Sequence, residues 1–362
     1  MLVVCAMLGC YGGSSAPTNV AFVYEVGDGS NAIQGLGQRA DGTLSALPTS
    51  PYATSPRPVA MALHPSKNFL YVVNSTSNTV SGYTLDHTSG VLAPVGQALP
   101  PSPTGPLPIS AGVNSGGQFL FVLNTGTAAG GSISVYSIDT TRGILAEISG
   151  SPFPIAANPL AMAVSPSAGF LYVSSASPSA ISVFAIAGNG ALSAAAGSVT
   201  GATGSNFPGL TIDPKGQFLY AADSGNNQVD SFSIAASGAL TPVAGSPFPA
   251  GTQPAAVAVD STGTLVFVSN AGSDDVSAYT SSAGVLTQAA TSPFTTKGTG
   301  TVAAAQPGFL TVDTSNTFLY VCNVATKGLA VFSINGSDGS LTPLANSPFP
   351  QGLAPRWLVI TK

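Results

Sequence analysis

Two histidines, three cysteines, fourteen acidic and nine basic residues are nearly all that a chain of 362 residues offers for proton transfer, nucleophilic attack or metal binding. The histidines, His64 and His87, form no metal-binding pair, and there is no Cys cluster or His-Glu spacing, so neither a metal nor a cofactor is expected. His64 stands where equivalent segments carry Asp213, Asp260 or Asp313 ahead of a turn, which reads as a structural position. The loops DSGNNQ from Asp223 and GSDD from Gly272 could offer oxygens to a hard cation, but short acidic loops between strands serve equally as turns. Arg57, Asn158, Gln253, Gln306 and Arg356 each lie beside a proline that opens a short apolar segment. In so charge-poor a chain the two arginines are suited to grip a carboxylate or phosphate as a fork; the alternative is that they are solvated loop residues.

Those side chains hang on a repeat. Pro58, Pro108, Pro159, Pro208, Pro254, Pro307 and Pro355 recur at intervals of 46 to 53 residues, and Gly42, Gly90, Gly143, Gly190, Gly238, Gly284 and Gly339 each precede a Leu by two. Each unit reads as four short strands, typified by PLAMAVSP from Pro159, FLYVSS from Phe170, AISVFAI from Ala180 and the segment after Gly190. The marker glycine sits between strands three and four, where a hairpin needs positive φ. FLYVSS and its copies are apolar on both faces, as a middle strand must be when its sheet is packed between two others. The chain begins with strands two to four (Phe22 to Gly27, Asn31 to Gln38, Thr43 to Tyr52) and ends with strand one, PRWLVITK from Pro355. The expected fold is therefore all-β: a seven-bladed β-propeller of four-stranded antiparallel blades, its first blade closed by the C-terminal strand, so that no sheet edge is left open at the ends.

A net charge of −5 with scattered Lys and Arg offers no basic stripe for phosphates, so nucleic acid is excluded as a partner. The first ten residues, MLVVCAMLGC, are too short to span a bilayer. MLGC resembles the lipobox of bacterial lipoproteins, with Met7 where Leu is usual and no positive n-region before it. The expected organisation is a truncated signal over 1–10 with lipidation at Cys10, a flexible tether over 11–17, and one propeller over 18–362. This implies export to the periplasm or cell surface of a bacterium, with membrane attachment only through the lipid. Cys322 then remains without a disulfide partner and reads as a small buried hydrophobe. A monomer is expected.

The one tryptophan rules out a recurring Trp-Asp dipeptide, and paired glycines are not placed once per blade as kelch repeats require. The text P-x-x-x-A-V-x-P, G-x-FLYV-x-N, S-V-x-x-I, G-x-L and SPFP resembles the lactonase-type seven-bladed propeller family, which includes a class of 6-phosphogluconolactonases, and the related Tyr-Val-Thr-Asn repeat surface propellers. The resemblance implies hydrolysis of a sugar lactone such as 6-phosphogluconolactone. Active members are similar in carrying Pro-Arg-His at the head of an inner strand and Asn-Glu after the second strand of the same blade. The best counterpart here is Pro58-Val59-Ala60 with Asn74-Ser75, so Val59, Ala60 and Ser75 occupy the Arg, His and Glu places, and no other blade is read as supplying them. Water activation and oxyanion stabilisation need a base and a cation or donor, which Val59 and Ala60 cannot provide. The expectation is thus a noncatalytic envelope protein binding a lactone, glycan or protein partner, with lactone hydrolysis as the alternative.

Overall fold

The computed structural model describes residues 19–95, 102–127, 130–156, 158–166, 169–297 and 306–361. Cys10 and the proposed tether lie outside them. The described residues form seven antiparallel sheets arranged as the blades of one propeller. In the third blade, for example, Pro108–Val113 pairs with Phe119–Thr127, which pairs with Gly130–Ile138. The outermost strand is broken in two. Leu145–Glu147 pairs with the far end of Gly130–Ile138 and Phe153–Ile155 with its near end. The break falls at the Ser-Pro of SPFP, because proline has no N–H for the ladder. The serine makes good the interruption: Ser151 Oγ accepts from Val135 N at 2.9 Å, and Ser246, Ser292 and Ser347 repeat this on Ser231, Ala278 and Val331.

Closure is as the phase of the markers predicts. Ala354–Ile360 pairs with Ala21–Asp28, which pairs with Ala32–Gln38. Thr361 Oγ1 accepts from Phe22 N at 2.9 Å and extends the join.

The core is divided among seven apolar clusters, each shared by two neighbouring blades. Alternate residues of each middle strand face opposite clusters: Leu70 and Val72 pack toward the first blade, Tyr71 and Val73 toward the third. This is why FLYV is apolar throughout. Phe69 of the second blade also lies against Gly143, the hairpin glycine of the third (φ 72°), where an added Cβ would come within 2.4 Å of the ring. The glycine thus serves both its left-handed turn and the close approach of the neighbouring ring.

Candidate active site at the channel mouth

In five of the seven blades the residue before the inner-strand proline is held in the left-handed region: Arg57 (φ 57°), Leu107 (52°), Asn158 (55°), Gln253 (53°) and Gln306 (49°); Phe207 and Ala354, before Pro208 and Pro355, are not. L-residues other than Gly, Asn and Asp visit this region rarely, so something must fix them there. That brace is an Asn or Asp from the preceding blade. Asn78 Oδ1 accepts from Leu107 N at 2.8 Å, Asn227 Oδ1 from Gln253 N at 2.8 Å, Asp274 Oδ1 from Gln306 N at 2.7 Å and Asn31 Oδ1 from Arg57 N at 3.4 Å. The sequence reading missed this device, although Asn or Asp recurring 26 to 32 residues before these positions was its signal.

Of the five expected binding residues, Arg57 and Arg356 come to a common cleft. They line one cleft of about 340 Å³ together with Val59, Ser75, Leu107, Ile109 and Thr125. Asn158, Gln253 and Gln306 stand exposed at the equivalent places of other blades and do not line it. Leu107 does line it and was not anticipated. Ser75 N donates to Arg57 O at 2.8 Å, tying the mouth residue to the end of the second strand.

The register of the closing blade revises the motif reading. Pro58 lies opposite Asn74 and Ala60 opposite Val73; in the closing blade Pro355 lies opposite Gly27 and Trp357 opposite Val26. Arg356 is therefore the equivalent of Val59, Trp357 of Ala60 and Asp28 of Ser75. The blade assembled from the two chain ends has Pro-Arg at the head of its inner strand and an acid at the place of the family's Glu. Two places depart: Gly27 stands at the asparagine place, and the histidine place is filled by Trp357, which stacks on Phe309 with centroids 4.1 Å apart. A separate cavity of about 330 Å³ lies among the inner strands, lined by Ala111, Val113, Val164, Ile212, Phe309 and Trp357 among others.

The remaining candidates have structural roles. Ser66 N donates to His64 Nδ1 at 3.1 Å, so Nε2 carries the proton and donates to Gly117 O at 2.9 Å in the next blade. Asp260 and Asp313 accept from the strand-two N–H groups of Leu265 and Phe318 at 2.8 and 2.9 Å, as caps of the same turn. His87 Nε2 lies 2.9 Å from Asn68 Oδ1 on the surface. The oxygens of Asp223 are taken up by Ser205, Asn206, Asn226 and Gln228. Asp274 pairs with Lys297 at 2.9 Å. No group of three potential metal ligands occurs among the described residues. Cys322 is a buried free thiol, pushed up by burial and secondarily by Glu25.

A seven-bladed propeller with a two-arginine cleft at one channel mouth is the class of protein these features define. The family model described as lactonase, seven-bladed β-propeller, matches residues 104–362, and the chain belongs to that family. None of the curated proteins compared matches the sequence. Among solved structures the fold is shared with a candidate 6-phosphogluconolactonase from Bacteroides uniformis (17% identity, TM-score 0.78, 94% of this chain and 99% of that one). It is shared likewise with a periplasmic gluconolactonase from Pseudomonas aeruginosa (20%, 0.77, 94% and 99%). A protein from Lactobacillus plantarum is similar too (17%, 0.73, 95% and 100%).

Proposed function

We propose that the cleft receives a lactone and opens it to the hydroxy-carboxylate. The observation that carries this reading is the convergence of Arg57 and Arg356, from different blades, on one cleft. Two guanidinium groups can polarise the carbonyl and hold the carboxylate product by paired N–H donors. The backbone register puts Asp28 at the strand position equivalent to Ser75, which makes it, by sequence place alone, the acid to test for water activation. Family membership and gluconolactonase-like neighbours favour this over the noncatalytic reading reached from Val59, Ala60 and Ser75 alone. The test is acid release at constant pH from a panel of lactones, 6-phosphogluconolactone and gluconolactone included. Turnover above spontaneous hydrolysis that is lost in Arg356→Ala supports the proposal. Binding of product without turnover would instead establish a noncatalytic receptor, the reading that Trp357 at the histidine place favours.

We further propose export and lipid anchoring at Cys10, supported by MLGC, by the Gly/Ser-rich residues after it and by the periplasmic description of the Pseudomonas neighbour. Metabolic labelling with a fatty-acid analogue checks this. An unlabelled wild type, expressed with a functional upstream signal, overturns it.

A further inference from the structure

Leu107 is the one apolar side chain among the five left-handed residues of the mouth. Arg57, Asn158, Gln253 and Gln306 are polar, and at the two other inner-strand heads Phe207 is buried and Ala354 half-buried, whereas Leu107 is 48% exposed, one of two large apolar side chains so exposed among the described residues. It is not loose: its N–H is held by Asn78 Oδ1 at 2.8 Å, and its carbonyl accepts from Thr125 N at 3.0 Å and Thr125 Oγ1 at 3.1 Å. A leucine fixed in a left-handed conformation with its side chain in solvent, beside two arginines, is an apolar contact held in place rather than scattered surface. A second apolar side chain stands beside it: Ile109 also lines the cleft and packs against the cluster shared with the fourth blade.

We infer that the ligand is amphiphilic: its lactone or carboxylate group sits at Arg57 and Arg356, and an apolar alkyl or aryl substituent packs on Leu107 and Ile109. This deepens the proposed function and rests on it. Beyond the two arginines, a polyhydroxylated ligand of the same length would find only Ser75 and Thr125 as polar partners among the cleft side chains, and Thr125 already donates to Leu107 O. The inner strands do present free backbone edges to the axis, and a polyol that used them would reverse the preference.

The experiment compares D-gluconate with octanoate, two carboxylates of equal charge, by calorimetry and by the fluorescence of Trp357, the only tryptophan of the chain. Octanoate is expected to bind at least about tenfold more tightly, since each buried methylene is worth about fourfold in affinity. Leu107→Asn keeps a residue that tolerates the left-handed conformation and should weaken octanoate about fivefold while leaving acetate unchanged. Gluconate binding as tightly as octanoate, or Leu107→Asn weakening acetate as much as octanoate, overturns the inference while leaving the cleft assignment standing. If octanoate and gluconate both fail to bind, or bind unchanged in Arg57→Ala and Arg356→Ala, the cleft assignment itself falls, and this inference with it.

Discussion

The hydroxyl of Tyr71 donates to the carbonyl of Gly143, 3.0 Å away in the next blade. Tyr24 repeats the bond on Gly90 at 2.6 Å and Tyr172 on Gly238 at 2.9 Å, so a strand-two tyrosine fastens each of these blades to the hairpin of its successor. Phe121 and Phe267 fill the same place without a hydroxyl, and Tyr320 fills it with a buried hydroxyl that has no hydrogen-bond partner. The ring shape is therefore tolerated with or without the oxygen. Tyr71→Phe is expected to cost about 1–2 kcal/mol by leaving a buried carbonyl short of a donor, whereas Tyr320→Phe should be neutral or stabilising. Paired denaturant melts of the two variants check the contrast.

The hairpin glycines should resist substitution more strongly than a turn requirement alone implies. Gly143→Ala must accept a left-handed conformation and displace the Phe69 ring, 2.4 Å from the added Cβ. A loss of about 2–4 kcal/mol is expected from the two effects together. Gly336, where an added Cβ would meet nothing within 4 Å and φ is not positive, is the control: Gly336→Ala should change the melting midpoint little.

Glu25 is fully buried, with both carboxyl oxygens lacking hydrogen-bond partners, at a position where the other blades place Val72, Val122, Val173, Ala221, Val268 and Val321. Tyr320 and Cys322 belong to the apolar cluster on that side of the sheet, and burial pushes the Glu25 carboxyl up to about 8. The unfolded chain ionises near the ordinary value of 4.5 while the folded one stays protonated. Stability is therefore lost progressively as pH rises from about 4.5 to about 8, by a few kcal/mol. Asp230, raised to about 6 by burial and then by Asp223, adds a slope of the same sign. Glu25→Gln should flatten the part due to Glu25, and Glu25→Val should be more stable than wild type at pH 8. Urea titrations at pH 5, 7 and 9 measure both.

The repeat was legible because Pro58 and its counterparts and Gly42 and its counterparts are fixed by backbone conformation and close packing, and those demands recur in every blade. The site was less so. Val59, Ala60 and Ser75 looked like a lost centre because a contiguous unit was compared, while Gly27-Asp28 and Pro355-Arg356 lie at opposite ends of the chain and become one blade only through strand pairing. Leu107 escaped notice for a different reason: an apolar side chain carries no chemical flag, and its exposure follows from the brace that Asn78 supplies across the blade interface. Arg57 and Arg356 stood out through the scarcity of charge, but their place beside the prolines grouped them with Asn158, Gln253 and Gln306, which share the ring without sharing the cleft.

The closing blade yields the sharpest prediction on activity. If Arg356 stabilises the developing oxyanion, Arg356→Ala should lower kcat/KM for a hydrolysed lactone by about 10²- to 10³-fold, and Arg356→Lys should recover only part because a single ammonium lacks the two-donor fork. Arg57→Ala should act chiefly on KM, since Arg57 enters from the neighbouring blade as a second anchor for the carboxyl group. Asp28→Asn should remove a proton acceptor without changing size, with a loss of about 10²- to 10⁴-fold in kcat and disappearance of the acidic limb of the pH–rate profile. Steady-state titrimetry on the three variants separates these effects. Full activity in Asp28→Asn with loss in Arg356→Ala would leave carbonyl polarisation as the whole mechanism, with attack by solvent hydroxide and a rate that climbs with pH. Full activity in Arg356→Ala would remove the closing blade from the reaction altogether.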